Sequence, residues 1–278
     1  MKKVIVLLSF VCTVLLGNEF ETAIKAYATG DYQKAFKYSK IACDNGEYKG
    51  CHNLGFLYVS GQGVEQNYKE AFKYYKLACD KGNYRSCTIL GALYDDGQGV
   101  RQSYTEASKY YKLACDNGEY IGCYNLGVSY DSSQGVEQNY TEAFKYYKLA
   151  CDNGEYKGCH NLGVSYENGH GTTRSYKKSI RYFKTACDNG EYRSCHNLGV
   201  LYYDGQNVEQ NYTEAFKYFK IACDNEVYQG CYGLGYLYCS GQGVRQSYSM
   251  AKEHFGKACD LGAQEGCDVF ATLGKYGY

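Results

Sequence analysis

Proline is absent from this sequence, tryptophan is absent too, and methionine occurs only twice. Without proline, nothing interrupts a backbone that is helical nearly throughout, since the residue that removes a helix hydrogen bond never appears. Net charge is missing as well: thirty Lys and Arg balance thirty Asp and Glu. No overall field draws the chain to nucleic acid or to an anionic membrane, so neither is expected as a partner. Close thiol pairs of the C-x2-C kind, which structural zinc usually takes, are lacking despite sixteen cysteines, and the five histidines form no H-x-H. No metal and no other cofactor is expected. Long apolar runs are lacking apart from Val4 to Leu16, which follows Lys2 and Lys3 and ends at Gly17. That length suits an export signal and is too short to cross a bilayer comfortably. Residues 1–17 are therefore expected to be a signal peptide, with no stable membrane anchor after its removal. Cys12 raises a lipoprotein alternative, for which Val11 is a poor match to the small residue that processing prefers. The expected location is periplasmic or secreted, an oxidising compartment where paired cysteines become disulfides.

What the chain does have is a period. The stretch Gly46 to Asp80 recurs every 36 residues. Cys43, Cys79, Cys115, Cys151, Cys187, Cys223 and Cys259 form one ladder at that spacing. Cys51, Cys87, Cys123, Cys159, Cys195, Cys231 and Cys267 form a second, each eight residues after the first. A fixed period of this size means stacked supersecondary units. Within the unit, Cys51, Leu54, Leu57 and Tyr58 mark one face of a first helix, about Glu47 to Val59. A loop follows, Ser60 to Gln66. A second helix starts at Asn67, with Ala71, Tyr74, Tyr75, Ala78 and Cys79 as its buried stripe, and stops at Gly82. Asn67 with Glu70, Ser103 with Glu106, Asn139 with Glu142 and Asn211 with Glu214 each read as a reciprocal capping box. Glu226 stands where other units carry the left-handed glycine, so a strained turn is expected there. The organisation reads as a signal peptide (1–17), a capping helix pair (18–45), six repeats (46–261) and a final capping helix (262–278).

Cys79 lies in the last turn of one helix and Cys87 in the first turns of the next, across a short turn. Folding back there brings them to bonding distance, so each Cys is paired with the one eight residues later: Cys43–Cys51, Cys79–Cys87, Cys115–Cys123, Cys151–Cys159, Cys187–Cys195, Cys223–Cys231 and Cys259–Cys267. The rival pairing joins Cys51 to Cys79 across the long loop. Small residues before each second-ladder Cys, such as Gly50, Ser86 and Gly122, suit close helix approach. Cys239 is left over, as an unpaired thiol at a helix end or one half of an intermolecular bridge.

The pattern C-H-N-L-G-F-L-Y-x-x-G-x-G-V, running on to A-x-x-Y-Y-x-x-A-C at Cys51 to Cys79, resembles the Sel1-like repeat, a relative of the tetratricopeptide repeat. With its cysteine pairs and export signal, the chain is similar to the secreted cysteine-rich Hcp proteins of Helicobacter. The resemblance implies an all-α fold, a right-handed α/α superhelix stapled by disulfides, with a concave binding face. It also implies penicillin binding and slow β-lactam hydrolysis. The residues do not support that chemistry. S-x-x-K occurs at Ser175 to Lys178 and Ser249 to Lys252 without S-D-N or K-T-G partners, and Ser175 already reads as a helix cap. No catalytic residue is nominated.

The better functional signal lies on the first helices. Lys49 and Asn53, Lys157 and Asn161, and Arg193 and Asn197 are each four apart, hence on one helix face. Asn125 keeps the amide with Ile121 in the basic slot; Arg85 keeps the base with Ile89 in the amide slot. In tetratricopeptide relatives this face lines the groove, and a base with Asn resembles a clamp for a peptide carboxylate and backbone. An amide both donates to and accepts from a peptide group, while Lys or Arg meets a carboxylate. The plainer alternative is a solvated helix face. His52, His160 and His196, each one residue before an Asn, are expected to line the groove. The reading is an exported, monomeric scaffold for a peptide or protein segment, of host or bacterial origin. The ligand carboxylate is expected near units four and five, its chain running past Asn125.

Overall fold

The computed structural model describes residues 19–205 and 208–278, so the expected signal and Cys12 lie outside the described residues. All regular structure among these residues is helical. The chain divides into two compact units, one ending at Asn139 and one spanning Tyr140–Tyr278. The first holds α1 (19–28), α2 (Tyr32–Asp44), α3 (Tyr48–Ser60), α4 (Tyr68–Asp80), α5 (Tyr84–Asp96), α6 (Tyr104–Asp116) and α7 (Tyr120–Ser132). The second holds α8 (Tyr140–Asp152), α9 (Tyr156–Asn168), α10 (Tyr176–Asp188), α11 (Tyr192–Asp204), α12 (Tyr212–Asp224), α13 (Tyr228–Ser240), α14 (Tyr248–Asp260) and α15 (Gln264–Lys275). Odd-numbered helices from α3 lead each repeat and even-numbered ones trail it.

A helix such as α3 or α4, thirteen residues long, is marginal by itself in water, so packing must hold it. Helix α3 buries Gly50, Cys51, Leu54, Gly55 and Leu57, and α4 buries Ala71, Tyr75, Ala78 and Cys79. Tyr58 and Tyr74, assigned to the same stripes by spacing, are only half-buried; their rings stack with centroids 5.6 Å apart. Tyr94 with Tyr110 and Tyr202 with Tyr218 repeat the stack. Most of these rings are half-buried, and Tyr218 is buried.

Each disulfide joins the trailing helix of one repeat to the leading helix of the next. Cys43–Cys51 ties α2 to α3, and the pattern continues to Cys259–Cys267 between α14 and α15. Their Cα atoms lie 4.5–5.0 Å apart. Such closeness leaves no room for bulk beside the cysteine. A Cβ on Gly50 would come 2.7 Å from the Ala42 Cβ and from the Cys43 amide nitrogen. Cys239 is free and half-buried.

The trailing helices start in a way that corrects the reciprocal capping box. The N-cap half is present: Asn67 Oδ1 accepts from the Lys69 and Glu70 amides, both at 3.1 Å, and Asn211 Oδ1 accepts from the Glu214 amide at 3.0 Å. The returning half is replaced. The amide of Asn67 donates to the Tyr58 carbonyl at 2.9 Å, and those of Ser103 and Asn211 donate to Tyr94 and Tyr202 at the same distance. The freed acids turn outward, Glu70 to Lys73 at 3.3 Å and Glu106 to Lys109 at 2.6 Å. A second loop lock has no counterpart in the sequence reading: Gln66 Nε2 donates to the Val59 carbonyl at 2.6 Å, and Gln246 to the Cys239 carbonyl at 2.7 Å. The loop tip then presses on the preceding repeat, where a Cβ on Gly63 would sit 2.1 Å from the Tyr32 carbonyl oxygen.

Among the described residues, two non-glycines occupy the left-handed region, Glu226 at φ 63° and Ser133 at φ 60°. Glu226 takes the turn that Gly190 and Gly262 make at 93° and 96°. Its Cβ crowds the following carbonyl there, which generally costs roughly 1–2 kcal/mol. Glycine would remove that strain but regain freedom in the unfolded chain. Chemical denaturation should therefore find Glu226→Gly more stable than the parent by about 0.5–1 kcal/mol. Gly190→Ala should be less stable by a similar amount.

Candidate functional site

The leading helices turn Leu and Cys inward and present the residues two before and two after each Cys to solvent. On α9, Lys157 is exposed and Asn161 half-buried; on α11, Arg193 is exposed and Asn197 half-buried. None of these four side chains has a hydrogen bond, ion pair or ring contact among the described residues. The trailing helices differ. Lysines of α2, α4, α6, α8 and α12 pair with an acid one turn away, as Lys76 does with Asp80 at 2.9 Å and Lys220 with Asp224 at 2.6 Å. On α10, Lys178 and Arg181 lie over the Tyr166 and Tyr182 rings instead. Lys157 and Arg193 are cations without that compensation.

A polar bond fixes how α9 and α11 meet. His160 Nδ1 and Ser194 Oγ are 2.8 Å apart, next in sequence to Asn161 and Arg193 respectively. His52 and Ser86 make the same contact at 2.8 Å between α3 and α5. These histidines were expected to line a groove; they tie neighbouring repeats together. The two serines were read only as small residues, yet the clue was present: Ser stands before the cysteine in only two units, each preceded by a His 34 positions earlier. His196 has Gly230 at that distance, and its Nδ1 is buried without a partner. Burial pushes the His160 and His196 imidazoles down to about 4, with Arg193 adding to the effect at His160. Burial, with Arg85 nearby, lowers His52 as well.

The remaining members of the row are placed less openly. Lys49 is exposed with its Nζ 5.8 Å from the Phe20 ring centroid, and Asn53 lines a hollow of about 220 Å³ with Ala23, Ile24 and Tyr27 of α1. Asn125 is half-buried on α7, one turn beyond the exposed Ile121. Only in the second unit do two complete base–amide pairs fall on consecutive leading helices. The serines of the two S-x-x-K motifs are otherwise engaged or exposed. Ser175 Oγ caps α10 by accepting from the Lys178 amide at 3.4 Å, and Ser249 is exposed while Lys252 bonds the Tyr278 carbonyl. Among the described residues, no three His, Cys, Asp or Glu are grouped to hold a metal ion.

A model of the Sel1 repeat matches seven times, at residues 16–47, 49–83, 85–119, 121–155, 157–191, 193–227 and 229–262. The chain belongs to the Sel1 repeat family. Among curated proteins it is similar to two from Helicobacter pylori. One, named "Putative beta-lactamase HcpC", is 51% identical over 43 residues, 16% of this chain and 15% of that protein. The other, named "Putative beta-lactamase HcpE", is 50% identical over 42 residues, 15% of this chain and 12% of that protein. The matched stretches thus span a small part of either relative. Among solved structures, a Sel1 repeat protein from Oxalobacter formigenes superposes with a TM-score of 0.80 at 25% identity, covering 87% of this chain and 99% of that one. The c5321 protein of uropathogenic Escherichia coli, described as a protective antigen with an SLR fold, gives 0.79 at 25% identity over 93% of this chain. This chain spans 56% of that protein.

The buried histidines give the Sel1 repeats a pH dependence of definite sign. A histidine that stays neutral when folded contributes stability fully above its ordinary value of 6.5, and loses it as pH falls from there toward about 4. Over that window the parent should lose more stability than His160→Gln, by on the order of 2 kcal/mol. Denaturant midpoints at several pH values check this, and parallel curves for parent and variant would contradict it.

Proposed function

We propose that the protein is an exported, non-catalytic scaffold that holds an extended peptide or protein segment across its leading helices, at α9 and α11. One observation carries this reading: Lys157 and Arg193 are uncompensated cations beside Asn161 and Asn197, amides with no partner of their own. A half-buried amide without a partner has both donor and acceptor to offer a peptide backbone, and an exposed cation can meet its carboxylate. The His160–Ser194 bond supports the arrangement by holding the two helices in register beside these residues. Preorganisation of this kind reduces the ordering cost of binding. Export fits seven disulfides, which persist in oxidising compartments. Host-cell and envelope proteins are the partner classes to screen.

The β-lactamase names of the two Helicobacter relatives supply no residues for a reaction here. Ser175 caps α10, Lys178 lies over the Tyr166 ring and Lys252 bonds the Tyr278 carbonyl, while His52 and His160 bond serines of neighbouring helices. Nitrocefin turnover by the purified protein should stay at the buffer rate. Turnover above it that vanished in a single-residue variant would reverse the assignment.

For the scaffold reading, the double change Asn161→Ala and Asn197→Ala removes the amides without touching buried leucines. It should weaken binding of a selected peptide by about 1–3 kcal/mol, because ligand amides would be left unpaired. Thermal stability should be unchanged. Equal affinity for parent and variant, measured by calorimetry, would make the Asn row structural.

A further inference from the structure

On the leading helix α13 a glycine occupies the amide slot, and a hollow lies beside it. Gly233 stands where Asn53, Asn125, Asn161 and Asn197 stand in other repeats, and Gly230, like Gly50, Gly122 and Gly158, stands where only Ser86 and Ser194 carry a hydroxyl. Where the Asn side chain is missing at Gly233, a space of about 280 Å³ lies between α11 and α13. Phe219 forms its floor, with ring carbons 2.9 Å from where a Gly233 Cβ would be. Val200, Tyr203, Tyr232 and Tyr236 form the walls, and Tyr236 is 49% exposed. Tyr203 and Tyr236 meet edge to face at 5.7 Å. Among its polar lining groups, Gln229 and His196, the His196 Nδ1 is buried and lacks the serine hydroxyl that His52 and His160 meet.

We propose that this hollow receives one tyrosine or tryptophan side chain of the bound peptide, its ring on Phe219 and its O–H or N–H donated to His196 Nδ1. The proposal rests on the groove reading above, since Arg193 and Asn197 of the same helix α11 would hold the flanking backbone. Aromatic walls favour a ring, which gains from offset and edge-on contacts. The unpartnered nitrogen selects among rings: already out of water and unpaired, it stays so beside phenylalanine and gains a donor from tyrosine or tryptophan. Charge also changes along the row. Lys157 and Arg193 give way to Gln229 and then Glu265, and a further hollow of about 310 Å³ continues from His196, Gln229 and Tyr232 to Glu265. The matching segment therefore carries a carboxylate on the Arg193 side of its aromatic anchor and a Lys or Arg on the Glu265 side.

The test starts from peptides selected out of a random library on the oxidised full chain. Each is resynthesised with Tyr, Trp or Phe as anchor, and affinities are measured for the parent and three variants. Gly233→Asn fills the hollow with the amide of the other repeats. Gly230→Ser offers His196 the hydroxyl it lacks. Asn161→Ala with Asn197→Ala removes the groove amides. The parent should prefer Tyr or Trp to Phe by about tenfold, the preference should collapse in both glycine variants, and the amide variant should weaken all peptides without altering it. If the parent ranks Tyr and Phe equally while the amide variant binds worse, the hollow is overturned and the groove stands. If the preference survives but the amide variant binds normally, the hollow stands and the groove falls. Should a glycine variant fail to fold, ring-nitrogen NMR of the parent decides: the His196 Nδ1 signal should move with the Tyr peptide and not with the Phe peptide. Equal movement with both, or no selectable peptide at all, overturns the proposal.

Discussion

Everything in this structure depends on how closely one repeat's trailing helix can approach the next repeat's leading helix. At the Cys43–Cys51 boundary a glycine faces an alanine and the Cα atoms of the bridged cysteines are 4.6 Å apart. Short helices with no common core gain stability from such nearest-neighbour contacts, and the disulfide makes the contact covalent at its tightest point. In the chain-entropy account, a loop of this size contributes roughly 2.5 kcal/mol. The bridges therefore act where a repeat array would otherwise come apart first.

Much of this was legible because the sequence states it seven times. Period, hairpin and cysteine spacing all follow from the Cys ladders, and Glu226 announced its turn by replacing a glycine. What was hidden lay in competition for backbone groups. The capping-box motif is present in sequence, but the Tyr58 carbonyl reaches the Asn67 amide first, and Glu70 is left for Lys73. Gln66 carries no signature, since its bond to the Val59 carbonyl spans a loop whose shape only the fold defines. The base–amide row on α9 and α11 could be read from spacing alone. That its members lack internal partners, unlike Lys76 or Lys220, could not.

The histidines show how a repeat protein acquires individuality. A His–Ser pair stitches two boundaries, and at a third the histidine meets the glycine that most units carry there. Each substitution alone is unremarkable against the repeat. At α13 a glycine in the amide slot borders a recess lined by aromatic rings and by His196. Regularity supplies the frame, and chemistry enters where the regularity lapses.

The disulfides also define what they leave unprotected. Each bridge spans eight residues and encloses only the short turn between two helices. No bridge crosses a long loop such as that from Gly61 to Asn67. A single backbone cut there parts the protein into two covalent pieces with every cystine intact. In topological terms the chain is a string of small closed rings joined by single threads, so its resistance to proteases resides in the loop locks made by Gln66 and the Tyr58 carbonyl.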